Sequence, residues 1–189
     1  MVLNGTPVTS LARTVADLGR ELDFDWAVGA ADAALRLGLT KEALGVSIDR
    51  GARRPGNARA RAMAAFADAR AESVGESRSR VILARASVPT PALQYEVTWL
   101  GEFLGRSDFA WLDHGVLGEF DGVGKYLRDL RGAADDPADV VVREKRREDR
   151  LRGPGWLVVR WVWEELDHPS VLVRRVRGAL ASGPGRLIP

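Results

Sequence analysis

Four acids, Asp108, Asp113, Glu119 and Asp121, and one lysine, Lys125, fall within SDFAWLDHGVLGEFDGVGKY at positions 107–126. Carboxylates this close repel one another, and a protein keeps them ionised most readily by placing a divalent cation among them. Magnesium suits such a set: it takes hard oxygen ligands, retains several waters, and is commonly held by one or two carboxylates together with a substrate phosphate. Side chains alternate along a strand, so Glu119 and Asp121 are expected on one face, with Phe120 on the other. If the chain turns at His114-Gly115, Asp108 on the preceding strand reaches the same edge of the sheet only if that strand bends, as a bulge would make it, or if the hairpin is offset. Asp113, inside the turn, reads as solvated surface. Glu119 and Asp121 flank a phenylalanine in an otherwise apolar run and precede Gly122, a placement that favours a site.

Positioning these residues requires a sheet, and the periodicity supplies one. ALQYEVTWL (92–100) alternates as a strand, EFLGRSDFAWLD (102–113) is strand-like, and VLGEF (116–120) is a short strand, giving three consecutive antiparallel strands. A helix is expected over 73–86, SVGESRSRVILARA, stopped by SVPTP. Asp136-Pro137 starts a charged helix over 138–152 that GPG at 153–155 ends. WLVVRWVW (156–163) then reads as a buried strand, too apolar for an edge, and HPSVLVRRVRGALA (168–181) as a last helix. Upstream, residues 6–70 read as helices: Thr9 or Ser10 caps the first, Trp26, Ala30, Ala33 and Leu37 mark the second, and Thr40 caps the third. The loop GARRPGN (51–57) precedes an alanine-rich helix, ARARAMAAFADAR. The expected architecture is therefore α/β. A mixed sheet (helix, three antiparallel strands, helix, strand, helix) fills residues 71–189, behind an α-helical extension over 1–70.

Composition narrows the function classes. The chain of 189 residues is 46% hydrophobic and 29% charged, as in a globular protein with a buried core. It has no cysteine, which excludes disulfides, thiolate metal sites and a cysteine nucleophile, and its two histidines, His114 and His168, argue against a histidine zinc site. The N-terminus lacks the pattern of a signal peptide and no apolar run is long enough to span a membrane, so a cytoplasmic location is expected. The formal charge is +2, yet the pI near 9.4 leaves room for local basic patches. GVGK at 122–125 has the wrong spacing for a phosphate loop, with Tyr126 where Ser or Thr is needed. Trp156, Trp161 and Trp163 read as core rather than a base-stacking platform. Arg53 and Arg54 read as a surface loop that can touch DNA.

Asp108, then Glu119-x-Asp121-Gly122, then Lys125-Tyr126, preceded by GESRSR and followed by EKRREDRL and VVR, resembles actinobacterial endonuclease-domain proteins. These are related to very-short-patch-repair endonucleases, within the PD-(D/E)XK nuclease superfamily. The resemblance covers about residues 71–167 and implies a restriction-endonuclease-like sheet. GTPVTSLARTVADLGREL resembles the segment that, in many such proteins, follows a winged helix of the type IV antitoxin kind, a module expected to be absent here. Carried over by position, the resemblance makes Asp108 and Glu119 metal ligands and Glu76 an additional acid near the metal. Asp121 stands where the superfamily often has its catalytic lysine. Either Asp121 is a further ligand, or Lys125 or a helix residue supplies the positive charge; relatives tend to carry histidine where Lys125 stands. Arg147 matches an arginine that the family keeps.

The implied activity is hydrolysis of DNA phosphodiesters with Mg2+ or Mn2+, with Lys125 offsetting charge on the phosphorus. Arg143, Lys145, Arg147 and, on the following strand, Arg160 are the candidate nucleic-acid contacts, although a solvated helix laced by pairs such as Lys145 with Asp149 accounts for the same charges. The alternative function is a catalytically silent nuclease-fold module that binds DNA or a partner in a toxin-antitoxin or transcriptional-regulator setting. A homodimer and a regulator-type or antitoxin-type partner stay open, and a structural accessory protein is a third reading.

Overall fold

The computed structural model describes residues 2–122, residue 150 and residues 154–187. The chain divides into two compact units, Met1–Val81 and Ile82–Pro189. The division falls within a helix, eleven residues after the expected boundary at 70/71. Among the described residues, no helix is long and apolar enough to cross a membrane.

The first unit opens with a hairpin of β1 (Val2–Leu3) and β2 (Thr6–Pro7), turned by Asn4 and Gly5 at positive φ. An Asn-Gly pair between two short extended runs favours this turn. Four helices follow: α1 (Leu11–Glu21), α2 (Phe24–Arg36), α3 (Lys41–Asp49) and α4 (Asn57–Phe66), then α5 (Val74–Arg85). Ser10 caps α1 through the Arg13 amide and Thr40 caps α3 through the Ala43 amide. Their shared core holds Val15, Val28, Leu44, Ile48, Met63 and a set of alanines, small side chains that let helices pack closely.

The second unit is built on a four-stranded mixed sheet in the order β3 (Ala92–Trp99), β4 (Glu102–Trp111), β5 (Val116–Phe120) and β6 (Leu157–Trp161). The first three strands are antiparallel and β6 runs parallel to β5. Two helices, α6 (Trp163–Asp167) and α7 (Pro169–Ser182), end the described chain, with Pro169 in the first turn of α7, where its missing N–H costs nothing. One face of the sheet supplies Phe109, Trp111, Val116, Phe120, Val159 and Trp161 to a core shared with Leu172, Val176 and Leu180 of α7. The other face buries Val97, Leu104, Ala110 and Leu117 with Trp156.

One local expectation is corrected. Among the described strands β6 lies at the end of the sheet order, so an apolar strand here is an edge; its buried residues, Val159 and Trp161, belong to the core beneath α7. Among the described pairs the register shifts between β3 and β4, at Val97/Thr98.

Candidate functional site

The β4–β5 connection sets the geometry of the acids. Leu112–His114 forms a single 3-10 turn and Gly115 follows with φ 63°, a left-handed value that glycine adopts without cost. Trp111 therefore pairs with Val116, Ala110 with Leu117 and Phe109 with Gly118. The ladder ends at Phe109–Gly118, and Asp108 and Glu119 are the next residues beyond it on the two strands. A two-residue turn at His114-Gly115 would pair Asp113 with Val116 and set Asp108 against Asp121; the observed turn shifts the register by two, towards Glu119. Period-2 alternation then puts Asp108 on the face of Ala110, and Glu119 on the face of Leu117.

β6 adds a cation to the same row. Its parallel register pairs Glu119 with Arg160, and the Arg160 guanidinium Nε donates to Glu119 Oε2 at 2.8 Å. Glu119 is 7% exposed, so its charge is held in the sheet by a neighbouring cation rather than by water. Arg160 is fixed in turn, because Arg175 of α7 donates to its backbone carbonyl at 2.7 Å. Asp108 Oδ2 accepts from the Phe120 amide at 2.9 Å, closing the strand pair just past its last ladder partners. Asp108, Glu119 and Arg160 thus form a polar row across three adjacent strands.

Sequence reasoning missed a fourth residue near this row. Gln94 of β3 lies between Leu93 and Tyr95, which pair with Phe109 and Ser107, so the same register carries it level with Asp108. Its φ of 50° is left-handed, rare for a residue inside a strand, and marks a local departure from the ladder. Nothing in its spacing announces this conformation.

The other expected site residues fall elsewhere. Asp121 lies beyond the end of β5 and is exposed; its amide donates to the Trp161 carbonyl at 2.8 Å. The strand stops one residue short of the alternation expected to align Asp121 with Glu119. Among the described residues no group of three or more His, Cys, Asp or Glu stands where it can hold a metal ion, so Asp108, Glu119 and Asp121 are not gathered as a set. Asp113 is exposed in the 3-10 turn. Lys125, Arg143, Lys145 and Arg147 lie outside the described residues, as does the charged helix over 138–152 apart from Arg150, which is helical.

Glu76 belongs to the first unit, where its carboxylate binds the start of α5. Ser73 Oγ donates to Oε1 at 2.7 Å, the Glu72 amide donates to Oε2 at 2.8 Å, and the Glu76 amide donates to Ser73 Oγ at 3.1 Å. The Ser-x-x-Glu spacing of 73–76 is the sequence signature of such a reciprocal cap. The rest of GESRSR is similarly engaged. Ser77 Oγ donates to Asp32 at 2.7 Å, Arg78 pairs with Asp25 at 3.0 Å over the Trp26 ring, and Arg80 pairs with Asp32 at 2.8 Å over the Phe66 ring. Asp32 is fully buried, and burial pushes its carboxyl up despite the bonds from the Asp68 amide, Ser77 and Arg80. Side-chain hydrogen bonds from Arg70 lower the Asp68 carboxyl to about 2.

The row offers two carboxylates, oxygen donors of the kind that Mg2+ takes, one of which, Glu119, is already paired with Arg160.

Comparison with known proteins gives relatives but no function. No family model matches the chain, and no solved structure matches it. It is similar to two Mycobacterium tuberculosis proteins, "Uncharacterized protein MT2308" of strain CDC 1551 / Oshkosh and "Uncharacterized protein Rv2248" of strain ATCC 25618 / H37Rv. Each is 30% identical over 181 residues, an alignment that covers 95% of this chain. The chain spans 61% of the length of these relatives.

Proposed function

We propose that the second unit is a metal-dependent endonuclease domain with a restriction-endonuclease-like sheet, which hydrolyses DNA phosphodiesters. The observation that carries this reading is that Asp108, at the end of the β4–β5 ladder, bonds the Phe120 amide beside Glu119, and Arg160 on the next strand bonds Glu119. Two carboxylates so placed would hold Mg2+ or Mn2+, which when bound supplies the charge that polarises a phosphate and acidifies a water. The chain's own groups do the positioning. The Phe120 amide orients Asp108, and Arg160 orients Glu119 while limiting the repulsion between the two acids. Glu76 is a cap residue in this reading, and Lys125 and Arg147 keep the roles of countercharge and DNA contact that the family resemblance assigns them.

One observation favours a second reading, a silent nuclease-fold module that binds DNA or a regulator-type partner. Glu119 already has a cation at 2.8 Å, and no third carboxylate joins the pair among the described residues. Metal binding separates the two. Titration with Mn2+, followed by calorimetry, should give saturable binding that Asp108→Ala weakens by at least about tenfold, the lower end of the cost of losing even a residue that only orients a ligand. Wild-type protein with no saturable Mn2+ binding would select the silent module.

A further inference from the structure

The first unit contains a cavity of about 260 Å³ between α1, α3 and the turn after α3, and its lining is strongly cationic. Arg13, Arg20, Arg50 and Arg54 contribute guanidinium side chains to it, and Ser10 and Ser47 contribute hydroxyl side chains. One acid answers three of these cations. Asp17 accepts from Arg13 at 2.5 Å, from Arg20 at 2.6 Å and from Arg54 at 3.3 Å. Among the described residues Arg50 has no ion-pair partner. Four arginines therefore line the cavity and, among the described residues, no acid does; Asp17 is the acid paired with three of them.

The cationic wall is built in rather than draped over the surface. The Arg20 side chain is 5% exposed, and it also donates to Asn57 Oδ1 at 3.0 and 3.1 Å and to the Ile48 carbonyl at 3.3 Å. The GARRPGN turn is shaped to seat it. A side chain on Gly51 would collide with the Arg20 guanidinium, and Gly56, at φ 77°, lies against the Arg20 backbone. Burying a guanidinium is costly unless it is paired. Here the pairing acid is shared with two more arginines. The first turn of α1, whose residues Ala12 and Arg13 line the cavity, contains no acid, so the positive end of the helix dipole adds to the same potential.

We propose that this cavity is a binding site for a phosphate group, carried by a nucleotide or by a nucleic-acid backbone. Guanidinium forks match phosphate oxygens geometrically, and a recessed floor with cationic rims holds a tetrahedral oxyanion better than a flat basic surface does. Arg54 and Arg50 are the rim residues that close on the ligand, Arg13 contributes from α1, and Arg20 fixes the floor. The site is separate from the carboxylate row and does not depend on it.

The test is calorimetric titration of the full chain with inorganic phosphate at constant ionic strength, with chloride as the control. The expected result is saturable binding at one site, weakened about tenfold or more in the Arg50→Ala/Arg54→Ala double variant, as for loss of charge-assisted hydrogen bonds. Both residues are exposed, so the variant should keep the wild-type melting temperature without phosphate; Arg20→Ala is avoided because it removes a buried pair. Displacement of phosphate by a DNA duplex would identify a nucleic-acid source, and displacement by a nucleoside monophosphate alone a small-molecule source; both uphold the site. Absence of saturable phosphate binding, or equal binding by the folded double variant, would overturn it. Glu119→Gln should leave phosphate binding intact, which keeps failure of the endonuclease reading distinct from failure of this one.

Discussion

Arg160 is the residue whose behaviour most sharply distinguishes a poised metal site from a sealed ion pair. Its guanidinium lies 2.8 Å from Glu119 Oε2 and competes electrostatically with any cation brought to the same carboxylate. Arg160→Gln is therefore expected to tighten Mn2+ binding while lowering stability by about 1.5–3 kcal/mol, the range for a hydrogen bond to a charged group. Calorimetry and urea denaturation of the same preparation read both. Loss of stability with no change in Mn2+ affinity would assign the pair to structure alone. At this scale the sequence was partly legible. Asp108 and Glu119 were identifiable as acids within apolar strands. The partnership of Glu119 with Arg160 depends on two strands 41 positions apart and has no local signal. Glu76 shows the converse: its Ser-x-x-Glu spacing was visible, and the cap it forms follows directly from that spacing.

Between strands, the site depends on how closely β5 and β6 approach. A Cβ on Gly118 would lie 2.8 Å from the Trp161 ring and 2.9 Å from the Trp111 ring, both in the core. Gly118→Val should destabilise the protein by about 1–3 kcal/mol through overpacking, and should disturb the Glu119–Arg160 register beside it. Thermal denaturation would detect the first effect and Mn2+ titration the second. A variant as stable as wild type would mean that the two tryptophan rings yield more freely than their burial implies. The strands themselves were readable from alternation, because β-branched and aromatic residues recur at period two. Their pairing was not. The turn at 112–115 could be placed only within a residue or two, and a shift of that size changes which acid faces which. β6, expected as interior, lies at the end of the order among the described strands, because an edge strand covered by a helix looks as apolar as a central one.

For the whole molecule, the first unit rests on a chain of charges that should make stability depend on pH. Asp68 is held at about 2, below its ordinary value of 3.8, chiefly by hydrogen bonds from the Arg70 side chain. A depressed carboxyl stabilises the fold above its unfolded value, and that contribution is lost as the pH falls from 3.8 towards 2. Asp32 acts in the opposite sense: burial raises it, so its contribution declines as the pH rises through its folded value. Urea denaturation across pH 2 to 5, an interval chosen around these values, should show a steeper acid loss in wild type than in Asp68→Asn. Identical acid limbs would remove Asp68 from the account. Periodicity and capping signals made an α/β chain with a helical N-terminal part legible; the division at 81/82 was not, since a continuous helix carries no break in pattern there. The central claim is that Asp108 and Glu119 serve metal-dependent DNA cleavage. It is tested most directly by incubating supercoiled plasmid with Mg2+ or Mn2+ and either wild-type protein or Glu119→Gln purified identically. Nicking or linearisation by wild type, lost in the variant and in chelator, is the predicted result. No cleavage by wild type, or equal cleavage by both, would contradict it.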